Sequence, residues 1–172
     1  MSGWFARRSE RLLPLMAAAG LFLMTGCAGP AGKPGTPVAG VGPVRELNLL
    51  AMPSALNLND KPGADGVAVK VFAVRQGGMK GVPIRSGWIE VLAYEGTFED
   101  APPTKPFHEW RLNPDQLARS EIKTLMGTGY YLVLDWSPHI LHGNRATIIA
   151  RYLSDSGAPV TSAPSYVAVT AL

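Results

Sequence analysis

The sequence predicts an all-β domain: an antiparallel β-sandwich of about seven strands with one short helix, carried behind an N-terminal signal and a flexible tether. Three observations point there. Apolar residues recur at period two in several short segments, as half-buried strands require. Clusters of Gly, Pro, Asn, Asp and Ser separate those segments and supply the turns. The chain has a single cysteine, Cys27, so no intrachain disulfide or multi-cysteine metal site can brace it. A hydrophobic core must hold the fold, and about 130 residues suffice to build one.

The predicted organisation is a signal peptide at 1–26, a tether at 27–44 and the sandwich at 45–172. Arg7, Arg8 and Arg11 form a basic start, and Leu12 to Met24 an apolar run of 13 residues. A membrane-spanning helix needs about 20 such residues, so this run is too short, and Pro14 and Gly20 weaken it further. Ala28 to Pro43, AGPAGKPGTPVAGVGP, has one charge and no aromatic residue. It cannot bury enough apolar surface to offset the entropy of ordering, and it reads as a tether. Extended, it reaches roughly 50 Å at about 3.1–3.6 Å per residue.

The formal charge of +3 sits largely in the signal. With Arg7, Arg8, Arg11 and Glu10 removed, 13 basic and 12 acidic residues remain of 16 and 13. No basic stripe is left to contact phosphates, which argues against nucleic acid as a partner.

ELNLLAMPSALNLN, broken at Pro53, reads as an edge strand or two short ones. Asp60 to Gly66 is a turn. GVAVKVFAVR follows as a strand with Val67, Val69, Val71 and Ala73 on one face and Lys70 and Phe72 on the other. Val82 to Arg85, interrupted by Pro83, suggests a short edge piece. In GWIEVLAYEG, Ile89, Val91 and Ala93 alternate with Trp88, Glu90, Leu92 and Tyr94. Thr97 to Pro106 is a proline-rich loop, and Phe107 to Leu112 a short strand.

Asn113, Pro114 and Asp115 form a helix start, with Asn113 as N-cap. Ala118, Ile122 and Leu125 share a helical face, so the helix is expected to run to about Met126, where Gly127 ends it. TGYYLVLDW returns to period two, with Tyr130, Leu132, Leu134 and Trp136 on one face. RATIIARYL and APSYVAVTA, separated by the turn at Ser154 to Gly157, complete the strands.

Catalytic or metal chemistry has one thin foothold. His139 and His142 stand three apart with Asp135 just upstream, and the three could hold a metal if they projected together. Pro138 and Gly143 break the helix that would align them. His108 and Glu109 are adjacent on a strand and point to opposite faces. The acids Glu90, Glu95, Glu99, Asp100 and Asp135 show no spacing that selects a pair, and the serines lack a nucleophile-elbow pattern. Trp88, Trp110 and Trp136 read as core residues rather than as a sugar platform. No catalytic residue and no cofactor is predicted.

Tyr130 enters a strong strand directly after a glycine-containing turn, LMGTGYYLVL. The arrangement resembles the tyrosine corner of immunoglobulin-like domains, in which the hydroxyl bonds back to the preceding turn, and equally the strand entry of transthyretin-like domains. Both likenesses imply a structural role for Tyr130.

LMTGC, Leu23 to Cys27, resembles the lipobox of bacterial lipoproteins. The resemblance implies cleavage between Gly26 and Cys27 and a diacylglyceryl group on the Cys27 thiol, which makes the membrane a partner through a lipid anchor. Ala28 after the cysteine implies the outer membrane, and the periplasmic face is the expected side, with outward display left open. The segments GVAVKVFAV, GWIEVLAYEG, GTGYYLVLDW and ARYLSDSG resemble uncharacterised bacterial lipoprotein domains. The anchor and the strand after the first turn are also similar to the outer-membrane lipoprotein of type VI secretion systems. The expected function is a non-catalytic, lipid-anchored sandwich that binds or scaffolds another envelope component, an envelope protein being one possible partner. The alternatives are that secretion-system lipoprotein and a metal- or carboxylate-dependent hydrolase using His139, His142 and Asp135.

Overall fold

A computed structural model of the chain describes residues 42–59, 61–98, 103, 105–155 and 157–170. In chain order the elements are β1 (Val44–Ala51), β2 (Gly66–Arg75), β3 (Gly81–Val82), β4 (Trp88–Glu95), β5 (His108–Leu112), α1 (Pro114–Ala118), β6 (Glu121–Thr124), β7 (Gly127–Asp135), β8 (Arg145–Leu153), β9 (Val160–Thr161) and β10 (Ser165–Ala168). One sheet runs β1-β2-β3-β7-β6, and the other runs β10-β8-β4-β5 with β9 on β8. The fold is the expected all-β sandwich, and β6 and β9 are strands that the sequence pattern did not show.

The period-two segments face the core as their spacing dictates. Val67, Val69, Val71 and Ala73 of β2, Tyr130, Leu132 and Leu134 of β7, and the following Trp136 are all buried. From the other sheet Ile89, Val91 and Ala93 of β4 meet Ile148, Ala150 and Tyr152 of β8 in the same cluster. Each valine, leucine or isoleucine among them contributes about 1.5–3 kcal/mol on full burial.

The alternate face of β4 is not left to solvent. Leu92, Tyr94 and Ile149 form a second cluster under Phe98, whose carbonyl accepts from the Tyr166 hydroxyl at 3.2 Å. Beside it the buried Glu90 carboxylate is held by Arg151 at 2.8 Å and Arg111 at 3.4 Å. Both arginines keep one side toward water, so desolvation falls mainly on Glu90.

Three expectations need correction. The helix is one short turn, not a run to Met126. Asn113 caps it reciprocally with Gln116, and Leu117 is its buried residue, but β6 begins at Glu121 and pairs antiparallel with β7. Thr124 to Gly127 is the hairpin turn, with Gly127 at φ +95° and Leu125 96% exposed. The helical spacing of Ala118, Ile122 and Leu125 loses to the unpaired edge of β7, whose backbone groups need partners.

The piece at Val82 is no edge. β2 and β7 pair from Gly66↔Asp135 to Val71↔Tyr130, and β3 fills the gap beyond, pairing with both strands. Gly81 permits this, because a Cβ there would lie 2.3 Å from the Thr128 carbonyl oxygen. Tyr130 does not bond to its preceding turn. Its hydroxyl instead accepts from the Ile84 amide at 2.6 Å, tying the chain after β3 to β7.

Past Pro53 the chain from β1 crosses toward the second sheet. Ala55 donates to the Ala168 carbonyl and Ala168 to the Pro53 carbonyl, both at 2.8 Å, stitching the two sheets along one side.

Candidate functional site

Beyond the end of β7 the sheet gives way to a loop that forms one wall of a cleft. Trp136 anchors the start of the loop: its indole N–H donates to the Ala64 carbonyl at 3.1 Å and its backbone N–H to the Asp65 carbonyl at 2.8 Å. A cis Ser137–Pro138 peptide follows. The His139 amide donates to the Trp136 carbonyl at 3.0 Å, and its ring stacks on Phe107 with centroids 4.5 Å apart and planes at 10°. Glu95 holds the far end of the loop, its Oε1 accepting from the amides of His142 and Gly143 at 2.6 Å each.

The opposite wall is the turn before β2. Asn57 donates to the Lys61 carbonyl at 2.6 Å, Lys61 donates to Asn59 Oδ1 at 2.9 Å, and the Leu58 amide donates to Asp65 Oδ1 at 2.6 Å. Between these walls and Val169 lies a cleft of about 650 Å³, within the range typical of small-ligand sites. Two of its lining residues carry buried polar atoms without a partner, Asp65 Oδ2 and His139 Nε2.

His139 and His142 therefore do share a site, but Asp135 does not join them. Asp135 is absent from the cleft wall. Its Oδ1 accepts from the Ser137 hydroxyl and amide at 2.6 Å each, a closed turn at the strand end. Those two bonds, the hydroxyl first, hold its carboxyl below the ordinary carboxylate value. Among the described residues no group of three His, Cys, Asp or Glu side chains is placed to hold a metal ion, so the three-residue site imagined from spacing does not assemble.

Tyr130 is wholly buried, and burial pushes its hydroxyl above its ordinary value, partly offset by the Ile84 N–H. The three tryptophans share no platform. Trp136 is core, Trp88 lies under the Arg111 guanidinium at 5.1 Å, and the Trp110 indole donates to the Asp135 carbonyl at 2.9 Å. Gly26 and Cys27 lie outside the described residues. Sequence reading missed Asp65, which looked like one more turn residue in DKPGADG. In the fold it is buried, its Oδ1 accepting from the Leu58 amide and its carbonyl from the Trp136 amide.

A second surface stands on the outer face of the first sheet. Register places Leu50, Lys70 and Tyr131 in one row and Ala68 beside Val133 in the next, with Met52 donating to the Ala68 carbonyl. Leu58 lies over Gly66, where a Cβ would meet its Cδ1 at 2.3 Å. Leu50, Met52, Leu58, Tyr131 and Val133 are each 42–51% exposed, while Ala68 among them is buried. Grouped apolar side chains of this kind mark interaction surfaces, whereas scattered single ones need no explanation.

No protein family, curated protein or solved structure matches this chain.

Proposed function

We propose that the chain is a lipid-anchored protein of the bacterial cell envelope whose sandwich binds another envelope protein through the outer face of its first sheet. The observation that carries the binding role is that face: five large apolar side chains gathered on one sheet surface around Ala68 and Lys70. The anchor rests on the sequence alone, on the short apolar run followed by LMTGC and the sole cysteine. The hydrolase alternative loses its carboxylate, because Asp135 accepts from Ser137 and does not line the cleft of His139 and His142.

Two measurements test the two halves. Mass spectrometry of the purified N-terminus is expected to find a lipid-modified Cys27 as the first residue. An unmodified Cys27, or a mature chain beginning elsewhere, removes the anchor and the compartment inferred from it. A photoreactive residue placed at Val133 in cells is expected to cross-link to one envelope protein. The same residue at Glu109, exposed on the other sheet, is expected to give no such product. Equal products from both positions would assign no role to the apolar face.

A further inference from the structure

The cleft between residues 61–65 and 137–144 is independent of both the anchor and the apolar face. We propose that it is a binding site for a small organic ammonium, a primary amine on an apolar body, received by Asp65 and His139.

Asp65 is only 8% exposed, and its Oδ1 is already taken by the Leu58 amide at 2.6 Å, while Oδ2 has no partner. A buried carboxylate oxygen without a donor is costly, and a cationic donor compensates it best. His139 supplies the second acceptor. Its ring is fixed against Phe107, and in the tautomer protonated at Nδ1 its buried, unpartnered Nε2 offers a lone pair. Pro62, Pro138, Ile140, Leu141 and Val169 line the same cleft and provide an apolar wall for the body of the ligand. Lys61 also lines it but is exposed, so solvent screens its charge far more than that of Asp65. Both acceptor atoms are shielded from water in the free chain. The ammonium therefore enters as the wall gives way, which the largely exposed stretch 140–143 is placed to do.

The test is a titration of the full-length chain in detergent, with backbone amide NMR shifts read at Ala64, Asp65, His139 and Gly143. The probes are 2-phenylethylamine and its neutral counterpart 2-phenylethanol, each with a micelle-only control. The amine is expected to give saturable shifts at these amides, with the alcohol at least about tenfold weaker. Asp65→Asn keeps an oxygen for the Leu58 amide and is expected to weaken the amine by a similar factor. If that variant fails to fold, the comparison of amine and alcohol on the unsubstituted chain decides alone. Absence of saturable shifts, equal binding of the two probes, or unchanged amine binding by a folded Asp65→Asn variant would overturn the proposal.

Discussion

The phenolic oxygen of Tyr130 accepts a hydrogen bond from the Ile84 amide at 2.6 Å, joining residues 46 apart in sequence inside the core. The bond holds the chain that leaves β3 against β7. Tyr130→Phe keeps the ring but leaves a buried N–H unpaired, so a loss of about 1–3 kcal/mol is expected in denaturant unfolding. The same variant should alter the alkaline limb. Burial raises the folded-state value of Tyr130 above its ordinary 10.0. Its contribution is full below pH 10.0 and is lost as pH rises through the raised folded value. Tyr130→Phe should lose stability less steeply across that interval.

Leu134 sits in the cluster between the sheets with 5% exposure. Leu134→Ala removes buried methyl groups and leaves a cavity, at an expected cost of about 2–5 kcal/mol. An unchanged melting curve would contradict its place in the core.

Gly127 distinguishes the β6–β7 hairpin from a long helix. At φ +95°, with a would-be Cβ 2.5 Å from the Gly81 carbonyl oxygen, Gly127→Ala meets both backbone strain and a backbone clash. A loss of at least about 2 kcal/mol is expected. Leu125→Ser at the exposed hairpin tip should change stability by no more than about 0.5 kcal/mol. A helix running to Met126 would predict a substantial effect from Leu125 and a tolerant Gly127.

Asp135 sets an acid-side prediction. Its bonds from Ser137 lower its folded-state value below the ordinary 3.8, so its contribution is full above that value and is lost as pH falls through the folded one. The difference in Tm between the unsubstituted chain and Asp135→Ala should hold steady at neutral pH and shrink below pH 3.8. A difference that grew toward acid would show that Ser137 does not stabilise the charged form.

By itself the sequence determined the class of fold and most of its strands, because side-chain alternation is a local property that burial on one face enforces. Val67 to Ala73, Ile89 to Ala93 and Tyr130 to Trp136 were legible for that reason. The start of the helix was equally local, since Asn113 and Gln116 satisfy each other within one turn. Tertiary structure decided where that helix stopped, because residues 121–124 answer to the open edge of β7 rather than to their own spacing. It also decided which polar residues share a site. Asp135 was the nearer acid in sequence to His139 and His142, but backbone folding gave it to Ser137 and brought Asp65 into the histidines' cleft through the contact of Trp136 with Ala64, which are 72 residues apart. Period and composition carry no information about such pairings, because they depend on which loops close over the same end of the sandwich.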